Sequence, residues 1–208
     1  MVADIPPRKI LVLLAHPSQH RSEINRPLAQ ALAPLPGLTL VDLYAEYPTM
    51  EIDIEAEQQR LTTHDVIIFL HPLYWYSTPA ILKEWQDLVL EYGFAYGSTG
   101  NALKGKLFFS IVSAGGPLSA YQPDGLNRHS IAELFRPIEM TATLCKLRYL
   151  PPLVLYDARH AQAQSRLQDH IHHTLSLLEA IRHHKVDITQ LSQLTQLNDW
   201  HLGDAAHD

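Results

Sequence analysis

The sequence predicts an α/β protein in which helices cover both faces of a five-stranded parallel sheet. Three observations predict it. Short apolar runs alternate with longer amphipathic stretches, three of those runs are apolar throughout, and 208 residues are enough for one domain with a substantial core. A run that is apolar throughout is typical of a parallel strand covered on both faces. Strands alternating with helices indicate a doubly wound sheet, for which a small domain commonly has the order 2-1-3-4-5.

Five runs rich in Val, Ile, Leu and Phe are the predicted strands. They are Lys9–Ala15, Leu38–Leu43, Val66–Leu70, Lys106–Val112 and Pro152–Tyr156. The stretches between them, and the one after the last strand, carry apolar residues at helical spacing. The predicted helices are Ser22 to about Leu35, Pro79–Tyr92, Ser130 to about Leu147, and Ala161 to about His184.

The helix that begins near Pro79 shows this spacing clearly. Its apolar residues fall at i, i+1, i+4, i+7 and i+8, with Thr78 as the predicted N-cap and Pro79 in the first helical position. Trp85 belongs to this apolar face and is expected in the core or in an interface. Residues 1–185 are therefore expected to form a single domain, followed by a polar and loosely attached tail of residues 186–208.

Composition excludes several classes of function. A net charge of −6 argues against nonspecific binding of nucleic acid or of anionic membranes, since both need clustered positive charge. No run approaches the roughly 18 apolar residues of a membrane span, and the N-terminus lacks a signal peptide, so we expect a cytoplasmic protein without direct membrane insertion. Cys145 is the one cysteine, which excludes a disulfide framework and a metal site of several thiolates.

Histidines are concentrated near the C-terminus and raise the question of a metal site. They are His170, His172, His173, His183 and His184. His170 and His173 lie one helical turn apart, but no carboxylates are placed to complete a site. An exposed polar helix face is the favoured interpretation, and no metal is predicted.

In an open α/β sheet, ligands bind beyond the carboxyl ends of the strands, near the point where the strand order reverses. The order 2-1-3-4-5 brings the loops after strands 1, 3 and 4 side by side. The first of these loops lacks both the dinucleotide fingerprint and the P-loop. It does offer polar side chains at a helix start, which is typical of a phosphate site: His16, Ser18, Arg21, Ser22 and Asn25. Alternatively, Ser22 only caps the helix and His16 only ends a strand.

The loop after strand 3 is held between Pro72 and Pro79, so its amides are expected to be fixed in direction. Those amides, with Trp75 and Tyr76 beside them, suit the edge and face of a flat ring. The alternative is that the aromatic residues 74–76 pack under a neighbouring loop or against a dimer partner.

The loop after strand 4 contains Gly115 and Gly116, which let the backbone approach a ligand closely, and Tyr121 follows where the loop would return over the pocket. A Gly-Gly pair also marks ordinary turns. A flat cofactor with one phosphate would use all three loops together, and FMN fits that description. FAD is less favoured, because no obvious segment is left to hold an adenine.

Several motifs resemble those of the NAD(P)H:quinone oxidoreductase family of flavodoxin-like flavoproteins. They are LLAHP, S-x-x-N at Ser22–Asn25, DLYAEYP, HPLYWYSTPAILKEWQD, GFAYG and GNALKGK. Within this family the motifs are similar to those of the ancillary subunits of glutathione-regulated potassium-efflux systems. DGLNRHS, LFRPIEMTATLC and LPPLVLYDAR extend the resemblance, which covers roughly Lys9 to Arg159.

The resemblance implies a flavodoxin-like three-layer fold and a noncovalent flavin. The implied phosphate contacts are His16, Ser18, Ser22, Glu23, Ile24 and Asn25. The implied ring contacts are Leu73, Tyr74, Trp75, Tyr76, Ser113, Ala114, Gly115 and Gly116. The resemblance also implies a homodimer whose sites lie at the subunit interface, and docking on a membrane antiporter.

Two departures from the family pattern concern the implied chemistry. Ser113 and Ala114 stand where the family often has two threonines, which keeps the backbone but loses one hydroxyl. Tyr121 matches a family tyrosine that stabilises the reduced flavin, but Asn127 stands at the position of its histidine partner, with Arg128 and His129 adjacent. The rate of quinone reduction is therefore in question more than flavin binding is.

Three hypotheses follow for function. The first is a flavin-dependent NAD(P)H:quinone oxidoreductase that transfers two electrons as hydride by a ping-pong mechanism. Its catalytic residues would be Tyr121, Gly115 and Gly116, and its substrate contacts would be Tyr121 and Asn127. The second is a regulatory subunit of a potassium-efflux antiporter with little or no turnover. The third is a flavodoxin-like carrier without hydride chemistry.

Overall fold

Six strands form one parallel sheet in the computed structural model, which describes residues 5–161 and 165–201. They are β1 (Ile10–Leu14), β2 (Leu38–Asp42), β3 (Val66–Pro72), β4 (Leu107–Ser113), β5 (Arg148–Tyr149) and β6 (Leu153–Leu155). The order is β2-β1-β3-β4-β5, and β6 also pairs with β4. The predicted parallel sheet and its order are confirmed.

The strands β5 and β6 occupy one position at the edge of the sheet. β5 pairs with the start of β4, at Leu107 and Phe108, and β6 pairs with its end, at Ile111 to Ser113. Pro151 and Pro152 lie between them. Since proline has no N–H to donate to a sheet, these residues separate β6, which matches the predicted fifth strand, from β5, a sixth strand that was not predicted.

Eight α-helices occur in the described residues. They are α1 (Asn25–Leu32), α2 (Leu43–Glu46), α3 (Ile54–Thr63), α4 (Ala80–Val89), α5 (Ile131–Leu134), α6 (Arg136–Leu144), α7 (Arg166–Arg182) and α8 (Ile188–Gln193). Short 3-10 turns at 19–21, 118–121, 158–160 and 197–199 join some of them. The predicted helix over 130–147 is divided at Phe135, and Pro137 falls in the first turn of α6. The N-cap of α4 is Pro79 rather than Thr78, so that prediction was wrong by one residue.

The helices cover both faces of the sheet. On one face, β1, β3 and β4 bury alternate residues against α1 and α7. On the other face, the remaining residues of these strands pack against α3, α4 and α6, with Trp85 only 1% exposed, as predicted for a core residue. A third, smaller cluster lies beyond the ends of β4 and β6 and includes Tyr121 and Phe135.

Residues 186–201 are an integral part of the fold, so their predicted loose attachment was wrong; the rest of the predicted tail, residues 202–208, lies outside the described residues. Its apolar residues Ile188, Leu191, Leu197 and Trp200 are buried in the core beside α7. The Asn198 side chain donates to the Val154 carbonyl and accepts from the Val154 N–H, both at 2.8 Å. These two bonds satisfy the Val154 N–H and carbonyl, as a further strand beside β6 would do.

The same packing encloses two histidines of α7, His170 and His173. His170 is 7% exposed, and His173 contacts the Leu197 carbonyl at 3.0 Å and packs against Trp200. The predicted exposed polar face is therefore wrong for these two residues. Within the described ranges, no group of three or more His, Cys, Asp or Glu could hold a metal ion.

We expect Asn198→Ala to lower the free energy of unfolding by about 1–3 kcal/mol, because it leaves both the N–H and the carbonyl of buried Val154 without partners. Urea unfolding followed by circular dichroism measures this loss. Asn101→Ala, which removes an exposed amide elsewhere, is the control and should cost less. Equal losses in the two variants would contradict the attachment described here.

A buried carboxylate joins α3 to α4. Glu57 is 0% exposed, accepts from the Tyr47 hydroxyl at 2.6 Å, and accepts from the Trp85 indole N–H at 2.9 Å. Arg60 is its ion-pair partner and also contacts Glu46. This network fixes the helix that begins directly after the aromatic loop of residues 73–78.

Candidate functional site

The loops after β1, β3 and β4 meet at one edge of the sheet, as the strand order requires. Backbone hydrogen bonds join them in sequence: Ala15 donates to Leu70, Leu73 to Ser113, and Ala114 to Leu155. The carboxyl ends of these strands therefore form a continuous floor. This edge is where an open α/β sheet binds ligands.

His16 links the first loop to the third. Its Nδ1 accepts from the Ser18 N–H at 3.1 Å, so the neutral ring carries its proton on Nε2, which lies 3.3 Å from the Tyr74 hydroxyl. Burial lowers the pKa of His16 and favours this neutral form. The two rings also meet edge to face, 5.9 Å apart. His16 and Tyr74 thus form one wall of the site.

The segment from Ser22 to Asn25 places one unsatisfied polar group at the start of α1. Ser22 accepts from the Arg26 N–H at 3.1 Å, and Ile24 is buried in the core, so it offers only backbone atoms. Glu23 is exposed. Asn25 is 1% exposed, and its side-chain amide nitrogen has no hydrogen-bond partner among the described residues. A buried donor without a partner is costly and indicates a missing acceptor.

The aromatic loop is a tight turn in an uncommon conformation. Tyr74 and Ser77 exchange two backbone hydrogen bonds, at 3.1 and 3.0 Å, and the residues between them have positive φ: 50° for Trp75 and 63° for Tyr76. Two left-handed residues in succession make a turn of type I′, which normally uses Asn or Gly. Aromatic residues in this conformation cost free energy, and such strain is concentrated at functional sites.

The strained turn presents its rings and amides outward. Trp75 is 93% exposed, and Tyr74 and Tyr76 are about half exposed. The alternative that these rings pack under a neighbouring loop is therefore wrong for Trp75. The backbone N–H groups of Trp75 and Tyr76 donate to none of the described residues. The turn thus offers two free donors beside an uncovered indole.

The loop after β4 leaves open space above its first glycine. A Cβ added to Gly115 would meet no atom within 4 Å, whereas one at Gly116 would lie 3.3 Å from the Tyr121 ring. Ser113 and Ala114 are buried, with their backbone held by Leu73, Leu155 and Ala158. Gly115 is therefore the point of this loop that a ligand can approach most closely.

Tyr121 and Asn127 follow that loop in the chain. Tyr121 is 6% exposed and packs against Tyr156, and burial raises its pKa. Asn127 accepts from the Tyr76 hydroxyl at 3.2 Å, which joins the segment after Tyr121 to the aromatic turn. The structure therefore brings His16 into contact with the aromatic turn, and the turn into contact with Asn127. Ser22 and Asn25, by contrast, make no side-chain hydrogen bond with the other two loops within the described residues.

His71 is a residue beneath the site that the sequence reasoning did not select. It is fully buried in β3, its ring stacks on Phe135 at 6.0 Å, and its Nδ1 lies 3.0 Å from the Pro72 carbonyl. Its Nε2 has no partner among the described residues. Burial lowers the pKa of His71 to about 4, so the ring is neutral.

We expect the stability of the protein to fall as the pH drops from 6.5 to 4.5. In this range an unfolded histidine binds a proton, whereas His71 in the folded state does not, so the unfolded state is favoured. His71→Phe keeps a ring against Phe135 and should lose about 2 kcal/mol less over this range. His170, whose pKa burial also lowers to about 4, is present in both proteins and cancels. Urea unfolding at pH 7 and 4.5 measures the difference; equal pH dependence in both proteins would contradict it.

The residues present fit a flavin mononucleotide. The unsatisfied Asn25 amide suits a phosphate oxygen, the free amides of the turn suit the polar edge of a ring, and the open space at Gly115 admits a flat ring close to the backbone. Trp75 is available to cover such a ring. Each observation concerns a different loop, and the three loops lie side by side at one edge of the sheet.

The fold and this site define a flavodoxin-like α/β protein. The chain belongs to the family described as having the flavodoxin-like fold, whose model matches residues 8–200.

Within that family, its relatives have more particular names. A glutathione-regulated potassium-efflux system ancillary protein, KefG, of Pectobacterium carotovorum is 50% identical over 156 residues, which cover 75% of this chain and 85% of the relative. The general stress protein 14 of Treponema denticola, solved in complex with FMN, is 38% identical with a TM-score of 0.79, covering 83% of this chain and 99% of that one. An NADPH-quinone reductase of P. pentosaceus is 34% identical with a TM-score of 0.68, covering 78% and 95%.

Proposed function

We propose that this chain binds FMN at the site formed by the loops after β1, β3 and β4, and that it is an NAD(P)H:quinone oxidoreductase. We further propose that it is an ancillary protein of a glutathione-regulated potassium-efflux antiporter. The observation that carries the proposal is the strained turn at Trp75 and Tyr76, which holds two aromatic residues and two amides that donate to none of the described residues, on the loop next to the one that contains Gly115. The names of the relatives support both halves of it: an ancillary efflux protein, an FMN complex and a quinone reductase.

In this proposal each loop has a distinct task. The start of α1, with Ser22 and Asn25, holds the phosphate, and the amides of Trp75 and Tyr76 hold the polar edge of the ring. Gly115 lets the ring approach the backbone, whose N–H groups favour negative charge there. Bound FMN would supply the two-electron redox chemistry between NAD(P)H and a quinone.

The remaining site residues act on the substrate or on the loops. Tyr76 and Asn127 stand at the rim, joined by their hydrogen bond, where a planar substrate would enter over the ring. The Tyr121 ring lies beside Gly116 and limits the movement of that backbone, and its hydroxyl is protonated at neutral pH because burial raises a pKa that is already well above 7. One planar space above the ring would be used first by the nicotinamide and then by the quinone, which predicts ping-pong kinetics.

The experiment that tests this function is purification, release and identification of the cofactor, followed by initial rates at varied NADPH and quinone. FMN in a ratio of one per chain and parallel lines in double-reciprocal plots are expected. Intersecting lines would contradict the shared space, and a protein that stays colourless with added FMN or FAD would contradict the site itself.

Gly115→Ala tests the approach at the glycine loop. The added methyl group meets nothing within 4 Å in the protein alone, so stability should change by less than about 1 kcal/mol. FMN affinity should fall about tenfold or more, because the methyl group occupies the space assigned to the ring. Fluorescence titration with FMN measures the affinity. Unchanged affinity would place the ring elsewhere.

A regulatory role without turnover is the second candidate. Asn127 supports it, because the histidine expected from the resemblance is absent and the Asn127 side chain is already engaged by Tyr76. FMN would then serve as a structural or sensory group. A protein that binds FMN and activates efflux, yet oxidises neither NADH nor NADPH with any quinone, would establish this role.

Assembly and location are part of the same proposal. We propose a homodimer, supported by the exposed apolar residues Met140 and Leu144 one turn apart on α6, and a position at the inner face of the cell membrane through the antiporter. No helix in the described part of the chain has the length and apolar character needed to span a bilayer. Light scattering of the purified protein tests the dimer.

A further inference from the structure

The amino ends of the strands, at the opposite edge of the sheet from the candidate site, carry a concentration of positive charge. Parallel strands begin at the same edge, so residues that are distant in sequence meet there. Backbone hydrogen bonds join them laterally: Asp65 donates to Lys9, Leu107 to Asp65, and Arg148 to Lys106. The side chains at these strand starts therefore share one surface.

That surface is concave. A depression of about 500 Å³ is lined by Arg8, Lys104, Lys106, Arg148 and His184, and Asp65 supplies the one carboxylate of its lining. The protein as a whole carries a net charge of −6, so this local excess of cations opposes the overall charge. Ile5, Pro6, Pro7 and Leu107 complete the lining with apolar surface.

Two of the cations are held in place by carbonyl groups, which do not neutralise them. Arg8 donates to the Ile181 carbonyl, and Lys106 donates to the carbonyls of Thr62 and His64. These partners orient the two side chains without cancelling their charges. The side chains of Lys104 and Arg148 make no hydrogen bond or ion pair with any residue from 5–161 or 165–201.

One pair of cations in the depression, Arg8 and Arg148, is close enough to repel. Burial and the charge of Arg148 lower the pKa of Arg8, and burial lowers the pKa of Lys106. Asp65 attracts both, but its carboxylate also accepts from the Lys9 N–H at 2.8 Å. An anion placed among these groups would relieve the repulsion.

We propose that this basic depression is a binding site for a multivalent phosphate-bearing anion of about the size of a nucleotide. Guanidinium groups bind phosphate oxygens in pairs, and the depression contains two of them with two ammonium groups beside them. Its volume lies in the range of small-molecule sites. A concave surface also suits a discrete ligand better than a flat membrane. The anion is either a soluble polyphosphate or the phosphorylated headgroup of a lipid.

Isothermal titration calorimetry of the full chain with inorganic tripolyphosphate at low ionic strength tests the proposal. Saturable binding at one site per chain is expected, weakened about tenfold or more by Arg148→Gln or by Lys104→Gln. Both side chains are exposed and have no partner among the residues that the structure describes, so the fold should survive either change. Arg136→Gln removes the same charge from another surface, on α6, and should leave the affinity within about twofold.

Sedimentation with vesicles identifies the source of the phosphate. Binding to phosphatidylcholine vesicles that contain phosphatidylinositol 4-phosphate, lost in Arg148→Gln, would assign a lipid headgroup. Binding of tripolyphosphate without binding to these vesicles would assign a soluble ligand. Absence of saturable tripolyphosphate binding, equal weakening by Arg136→Gln, or equal affinity for citrate would overturn the proposal. FMN content does not enter any of these measurements.

Discussion

Replacing Glu57 by Ala is expected to lower the free energy of unfolding by about 3–5 kcal/mol, the largest effect of any single change considered for this fold. The carboxylate is fully buried and is the acceptor for the Tyr47 hydroxyl and the Trp85 indole N–H. Its removal leaves two buried donors without a partner and takes away one of the two carboxylates that pair with Arg60. Chemical unfolding measures the loss.

Glu55→Ala is the matched control, because it removes the same charge from an exposed position on the same helix. It should cost less than about 1 kcal/mol, the size of a helix-terminus charge effect. Glu57→Gln, which keeps an acceptor oxygen, should fall between the two. A Glu57→Ala variant no less stable than Glu55→Ala would show that the network contributes little.

Replacing Trp75 by Gly is expected to weaken FMN binding about tenfold or more while leaving the apoprotein as stable or more stable. The indole is 93% exposed, so its loss breaks few contacts within the chain, whereas an aromatic face over a flat ring contributes about 1–3 kcal/mol. The position has a φ of 50°, which glycine adopts without the cost that other residues incur. Loss of affinity with gain of stability is the expected result of a turn strained for function.

Trp75→Ala separates the ring from the backbone strain. It removes the same indole but keeps a Cβ in the left-handed conformation, so FMN affinity should fall as it does for glycine while the apoprotein stays about 1 kcal/mol less stable than the glycine variant. Thermal unfolding and FMN titration of both variants give the two readouts. Unchanged FMN affinity in either variant would mean that the aromatic turn faces another partner.

The sequence was sufficient for five of the six strands and for the order of the sheet. Apolar runs fixed the strands within two residues, and the strand order brought together the three loops that carry His16, Trp75 and Gly115. Those inferences depend on local composition and on a general rule of α/β topology. Both can be applied to the sequence without knowledge of tertiary contacts.

Other features depend on contacts that local composition does not reveal. The left-handed turn at Trp75 and Tyr76 has no glycine to indicate it. The segment after Lys185 looks polar because its buried residues are widely spaced, although they fill the space beside α7. His71 lies inside an apolar strand, and only its neighbour Phe135 shows that it is buried beneath the site. The basic depression combines residues from the starts of four separate strands. Neither their positions in the sequence nor the net charge of −6 indicates that cations meet there.

Titration of the apoprotein with FMN tests the central claim most directly, with flavin fluorescence as the signal. Wild-type protein is expected to saturate at one FMN per chain, with affinity lowered about tenfold or more in both Trp75→Gly and Gly115→Ala. These two residues lie on different loops of the site, and each change leaves the fold intact. Absence of saturable FMN binding by the folded wild-type protein would contradict the account.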